Sequence, residues 1–212
     1  MKKMFIKPIN SLIEFDKPII QIIFENNVDF RNFIENIEDN VIYSENDESL
    51  ELNKKTIIIN NIYNIDINDK KNITFLYKNI VNQLSEKQKE SFDKINNELL
   101  NVIKDINNTN DYGIDFEDSF DITKILNFYQ VKFCLDEQNY LEKLAKYIEI
   151  TSRVSKINTF ISFSLIRILS EEEVNLLLKE LSFNKINLID FDFQNSKKEI
   201  KYYKIDEDWC II

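Results

Sequence analysis

The sequence predicts an α/β fold interrupted by a long helical insertion, and three observations predict it. The first lies in the last third, where Ile157-Asn158-Thr159-Phe160-Ile161-Ser162-Phe163 is short, apolar and β-branched enough for a buried strand. Ser170-Glu171-Glu172-Glu173 then forms a capping box and launches a helix with Val174, Leu177, Leu178 and Leu181 on one face. A second strand follows from Ile186 to Ile189, and strand–helix–strand is a right-handed crossover over a parallel sheet. The second observation is the near-continuous apolar run Pro18–Phe24, the pattern of a strand covered on both faces, together with Thr56–Ile59, the strongest strand signal of that half. The third is a change of period between those runs and the last third, where apolar residues recur at helical spacing.

Taken in order, Asn26 or Asn27 can cap a helix with Phe30, Phe33, Ile34 and Ile37 on one side. Val41-Ile42-Tyr43 is a short strand, Glu45–Ser49 a polar turn, and Leu50-Glu51-Leu52 a segment able to pair near it. Asp69 can cap a helix with Ile73, Leu76, Tyr77, Ile80, Val81 and Leu84 on one stripe. Ser85-Glu86-Lys87-Gln88 is a second capping box, opening a helix through Phe92, Ile95, Leu99, Val102, Ile103 and Ile106. From Ser85 to Asn107 it would run about 35 Å, long enough to lean on its neighbour as an antiparallel hairpin. Asn107–Asp111 reads as a polar loop and Tyr112–Glu117 as extended chain. Asp121 starts a shorter helix with Ile122, Ile125, Leu126 and Tyr129, and Val131-Lys132-Phe133 is a brief extended link. Asp136 can cap a last helix carrying Leu141, Leu144 and Ile148, which returns the chain to the strand at Ile157. The expected boundaries are therefore a core of residues 1–62 and 157–212 and a helical insertion of residues 63–156. The apolar ending from Ile205 through Trp209 to Ile212 is expected to dock on the core or at a subunit contact.

The inventory of residues excludes most familiar catalysis. The chain has no His, which removes Ser-His-Asp and Cys-His catalysis and His-ligated metals. Its single glycine, Gly113, removes the P-loop and the dinucleotide fingerprint, each of which needs at least two. Cys134 and Cys210 form neither a disulfide framework nor a zinc spacing. Oxygen-ligand chemistry remains: Ca²⁺, Mg²⁺ or Mn²⁺ held by Asp and Glu. No apolar run approaches the ~20 residues of a membrane span, and the N-terminus lacks the apolar core of a signal peptide. The expected compartment is the cytoplasm. A net charge of −10 weighs against nucleic-acid binding unless a local basic surface carries it.

Three constellations could carry chemistry. Asp111, Asp115, Glu117, Asp118 and Asp121 form the densest acidic group, and carboxylates so close repel unless a cation or solvent intervenes. Ca²⁺ accepts irregular sets of six to eight oxygens, although the spacing is not that of an EF-hand. A solvated acidic loop is the competing reading. Asp190 and Asp192 end an apolar strand, where open α/β sheets place functional groups, and helix capping or solvation competes there. Lys132, Lys143, Lys146, Arg153 and Lys156 lie along and around the last helix of the insertion, Lys143, Lys146 and Arg153 on nearly one side of it. That is a basic stripe able to meet phosphates, or an ordinary helix surface with Glu142 and Glu149 interleaved.

The arrangement resembles a known family, the type II-A CRISPR-associated adaptation protein that is the second member of the Csn series. The segment Ile161-Ser162-Phe163-Ser164-Leu165-Ile166-Arg167-Ile168-Leu169-Ser170-Glu171-Glu172-Glu173 carries the clearest likeness. Phe116-Glu117-Asp118, the helix start Asp121-Ile122-Thr123, Val131-Lys132-Phe133 and Ile205-Asp206-Glu207-Asp208 are also similar. The resemblance implies a P-loop-NTPase-like core without the nucleotide loop, assembly as a ring-shaped homotetramer, and Ca²⁺ near the junction of core and insertion. It further implies sequence-independent binding of double-stranded DNA ends in spacer acquisition, beside the integrase pair and effector nuclease of the locus, with no established enzymatic activity. Carried over by position, the Ca²⁺ candidates are Asp115, Glu117, Asp118 and Asp121, and the DNA-facing candidates are Lys132, Lys143, Lys146, Arg153 and Lys156. The alternatives are a metal-dependent phosphodiesterase using Asp190, Asp192 or the clustered acids, and an acidic protein-interaction module.

Overall fold

The computed structural model describes residues 2–46, 48–110, 113, 115, 116, 121–134, 139–194 and 200–212. The chain divides into two compact units, one of Met1–Ile67 with Leu135–Ile212 and one of Asn68–Cys134. In the first unit the chain runs β1 (Lys2–Ile6), β2 (Ser11–Glu14), β3 (Ile19–Phe24), α1 (Asn27–Glu35), α2 (Ile37–Asn40), β4 (Val41–Glu45), β5 (Glu48–Leu50), α3 (Leu52–Lys55) and β6 (Ile57–Ile58). The second unit holds α4 (Lys70–Gln83), α5 (Glu86–Thr109) and α6 (Ile122–Phe128). The chain then returns to the first unit as α7 (Tyr140–Ser155), β7 (Thr159–Phe163), α8 (Leu165–Ile168), α9 (Glu171–Asn184), β8 (Asn187–Asp192) and β9 (Lys201–Ile205).

The fold is mixed α/β. A five-stranded parallel sheet has the order β6-β7-β8-β3-β9, and an antiparallel sheet has the order β2-β1-β4-β5. β3 is buried along its whole length, because it lies inside the parallel sheet with both faces covered. Strand alternation divides its neighbours between two cores. On one side Ile20, Ile22, Phe24, Ile161, Ile189 and Phe191 pack with Phe30 and Phe33 of α1 and with Met4, Ile6, Ile13 and Tyr43 of the antiparallel sheet. On the other side Phe160 and Leu188 pack with Leu144 and Ile148 of α7 and Val174, Leu177 and Leu181 of α9. The crossover β7–α9–β8 forms as its apolar pattern and the Ser170–Glu173 capping box direct.

The structure corrects the sequence reading at several points. α7 packs against α9 in the first unit, so residues 135–156 belong with the core rather than with the insertion, and the helical unit begins at Asn68 rather than 63. The apolar face of α7 has its partner on the sheet, and helical period alone does not say which body a helix covers. Asn139, not Asp136, caps α7, its side chain accepting from the Glu142 N–H; Asp136 lies outside the described residues. The run Thr56–Ile59 yields only the two-residue edge strand β6, and at its amino end the Thr56 hydroxyl turns back to the Leu52 carbonyl at 2.8 Å. Leu52, expected in a strand, begins α3, while β5 pairs with β4 through Glu48–Leu50. Sequence reading also missed β1, β2 and β9, short segments in which lysines (β1, β9) or polar ends (β2) weaken the strand signal. The C-terminus docks through its backbone: Ile205 bridges to Ile211, and Trp209 meets Phe24 edge-on at 5.9 Å. Ile212, at 65 % exposure, does not enter the core.

In the helical unit, Asp69 caps α4, a capping box of Ser85 and Gln88 opens α5, and Asp121 caps α6, all as read from sequence. Asn68 exchanges hydrogen bonds with the backbone of Phe133 at 2.9 and 3.3 Å, clasping the unit's entry to its exit. α4 packs on α6, and α5 has no fully buried residue. No helix among the described residues is long and apolar enough to cross a membrane.

Candidate functional site

The carboxyl ends of the parallel strands hold a buried polar row. Gln21 on β3, Asp190 on β8 and Ser162 on β7 stand side by side in register, three polar residues at one level of three apolar strands. The Asp190 carboxylate accepts from Ser162 Oγ at 2.7 Å, Gln21 Nε2 at 3.2 Å, and the N–H groups of Leu165 and Ile166 at 2.9 and 3.2 Å. Those two N–H groups open α8, so the acid satisfies donors that have no partner inside the helix. Complete burial pushes the Asp190 carboxyl up to about 6, and the donors around it oppose the shift, Ser162 foremost. Asp192, also fully buried, accepts from Ser164 Oγ at 3.0 Å and the Phe193 N–H at 2.8 Å, with the Arg167 guanidinium 3.6 Å away. Arg167 itself lies over the Phe193 ring at 4.8 Å. This corner is built to hold a sheet edge and a short helix together.

The four Ca²⁺ candidates are only partly described. Glu117 and Asp118 lie outside the described residues, and Asp115 is exposed. Asp121 is exposed too, and its Oδ1 accepts from the Thr123 N–H at 2.8 Å and the Thr123 hydroxyl at 2.7 Å. The Thr123 hydroxyl bond leads the causes that hold its carboxyl below the usual aspartate value. Capping engages one carboxylate oxygen of Asp121. No group of three His, Cys, Asp or Glu side chains is placed to hold a metal among the described residues.

The basic candidates are not one surface. Lys132 belongs to the helical unit, whereas Lys143, Lys146, Arg153 and Lys156 belong to the core unit. On α7, Glu149 pairs with Arg153 at 2.8 Å and with Lys146 at 3.4 Å, so the acid that interrupts the stripe in the sequence offsets one of its charges and engages two of its members. Lys156 closes α7 in the left-handed conformation, at the amino end of β7. Two lysines the sequence did not single out share that edge of the sheet: Lys185, before β8, and Lys17, before β3. A lysine before a strand is an ordinary residue until the strand order places it beside others.

A second feature emerges on α5. Ile95, Leu99, Val102 and Ile106 are 49, 54, 56 and 45 % exposed, spaced four, three and four residues apart. That is the alternation of a coiled-coil seam. The sequence showed the stripe, and only the tertiary structure shows that it lies open.

No curated protein matches the chain. The family described as CRISPR-associated protein (Cas_Csn2) matches residues 34–209, a span that reaches from α1 of the core through the whole helical unit to Trp209. A match over that much of the sequence, across both units, means that the chain belongs to the CRISPR-associated Csn2 family.

Proposed function

We propose that this protein assembles as a homotetrameric ring that binds ends of double-stranded DNA without reading sequence and serves spacer acquisition in a type II-A CRISPR system. It acts there without catalysis, in the cytoplasm, beside the integrase pair and effector nuclease of the locus. The observation that carries the reading is the family match across both units. Assembly has its own support in the open seam of α5: its heptad spacing fits a helix of the same period, and we assign that partner to α5 of a second copy. Ca²⁺ belongs to the reading through Asp115, Glu117, Asp118 and Asp121, whose carboxylates are the donors that ion takes; it would supply positive charge that lets them lie together.

The phosphodiesterase alternative loses its best residues. Asp190 and Asp192 are both fully buried: both oxygens of Asp190 and Oδ1 of Asp192 accept from the protein's own donors, and Asp192 Oδ2, which has no partner among the described residues, is buried away from any substrate-bound cation at the surface.

Light scattering with and without a chelator, followed by binding to linear and closed circular DNA on the same sample, tests the proposal. A tetramer that weakens on chelation, and binding to linear DNA that falls steeply with salt, are the expected results. A strict monomer with equal affinity for linear and circular DNA would overturn it.

A further inference from the structure

All five strands of the large sheet run parallel, so their amino ends form a single edge. A lysine stands at each position along that edge, in the order of the sheet: Lys55 before β6, Lys156 before β7, Lys185 before β8, Lys17 before β3, and Lys201 opening β9. At about 4.8 Å per strand the row spans roughly 19 Å. Its two ends are occupied, Lys55 with Glu45 at 4.0 Å and Lys201 with Asp16 at 2.8 Å. The three in the middle, Lys17, Lys156 and Lys185, are exposed, and the described residues hold no ion pair for them. In a chain of net charge −10, these are exposed cations set in line, with the Asp16 carboxylate next to Lys17 and already paired to Lys201.

The edge is concave and braced. A shallow cleft of about 400 Å³ opens there, with Lys17 and Lys185 in its lining together with Lys2, Asn158 and Asn187. The Lys2 ammonium donates to the Oδ1 atoms of Asn158 and Asn187. The amide nitrogens of those two residues hold the loops in turn, Asn158 donating to the Lys185 carbonyl and Asn187 to the Lys17 carbonyl, each at 3.3 Å. One half-buried hub therefore fixes the backbone of two of the lysines.

Helix electrostatics explain part of this row. Lys156 and Lys185 close α7 and α9, where a cation complements the last carbonyls. Both sit at positive φ, 60° and 56°, positions that usually go to glycine. Lys17 follows no helix, and the dipole gives no reason for its place.

The geometry points to this sheet edge as a contact surface for the backbone phosphates of double-stranded DNA, made by Lys17, Lys156 and Lys185. The inference rests on the DNA-binding reading above, and moves the main contact away from the α7 face, where Lys146 and Arg153 share the Glu149 carboxylate. The three central lysines, on adjacent strands, span roughly 10 Å, which at 3.4 Å of rise per nucleotide reaches about three phosphates of one strand. Contacts to phosphates fix position without reading bases, as sequence-independent binding requires.

The test is the triple variant Lys17→Gln, Lys156→Asn, Lys185→Asn, in which asparagine tolerates the left-handed positions. Affinity for a short linear duplex is measured by fluorescence anisotropy across a salt series. The expected result is at least about tenfold weaker binding at low salt, with the slope of log K against log salt shallower by about three. Lys17→Gln alone, in a loop, keeps the fold and makes the slope shallower by about one. Wild-type affinity and slope in both variants overturn the inference while DNA binding stands, as does a larger loss in a Lys143→Gln, Lys146→Gln variant. A wild-type protein that binds no duplex at low salt overturns the DNA-binding reading, and the inference with it.

Discussion

Asp190 shows how a single residue joins the two halves of the core. It lies level with Gln21 and Ser162 and accepts from both, and it also takes the first two N–H groups of α8. An isolated buried carboxylate would be very costly, and four donors make it tolerable. Its carboxyl lies at about 6, above the ~3.9 of an unfolded chain, so the folded protein binds this proton more tightly. The contribution to stability is therefore fully present below about pH 4 and is lost as pH rises through 6, a change on the order of 3 kcal/mol. In Asp190→Asn that decline is absent, and urea unfolding at pH 4, 5 and 6 measures it. An equal decline in the variant would show that another group is responsible. The sequence displayed Asp190 at the end of an apolar strand, but the single polar residue in Ile19–Phe24 and the one in Phe160–Phe163 acquired meaning only through register. Pairing across strands is set by the whole sheet and leaves no local mark.

At the scale of elements, helix starts were the most legible features. Asn26, Asp69, Ser85, Asp121 and Ser170 each accept from an N–H in the first turn, because a cap needs only residues a few positions apart. Replacing Ser170 by Ala removes one half of a reciprocal capping box and is expected to cost about 1 kcal/mol in chemical unfolding. The destination of a helix face was less legible. α7 and α5 are both amphipathic, yet α7 covers the sheet while α5 exposes its seam. Charging that seam with Leu99→Glu and Val102→Glu is expected, if the proposed tetramer forms through it, to give smaller species in light scattering, with little loss of helix by circular dichroism. An unchanged assembly would place the self-contact elsewhere.

For the molecule as a whole, the two units differ in how much they bury. The core unit holds both hydrophobic clusters, whereas α5 has no fully buried residue along its 24 positions. Helices of that kind take their stability from a partner rather than from propensity. Hydrogen exchange is therefore expected to be fast in α5 and slow in β3, β7 and β8, with α5 gaining protection as protein concentration rises. Protection in α5 that does not depend on concentration would oppose self-association through it. At the same scale lies the row of lysines, whose members come from five separate strand starts and are neighbours only because the strands are parallel and ordered β6-β7-β8-β3-β9.

The sequence by itself determined what depends on local chemistry: the capping boxes, the crossover in the last third, the apolar strand at β3, and the exclusion of His- and P-loop-based catalysis. It also carried the family resemblance that the match over residues 34–209 bears out. Tertiary structure alone decided that α7 belongs to the core, that Asp190 and Asp192 are internal struts, that α5 lies open, and that Lys17, Lys156 and Lys185 line one edge. The physical reason is range. Capping and period act within a few residues, whereas strand order and the covering of a face are settled by contacts between segments far apart in the chain.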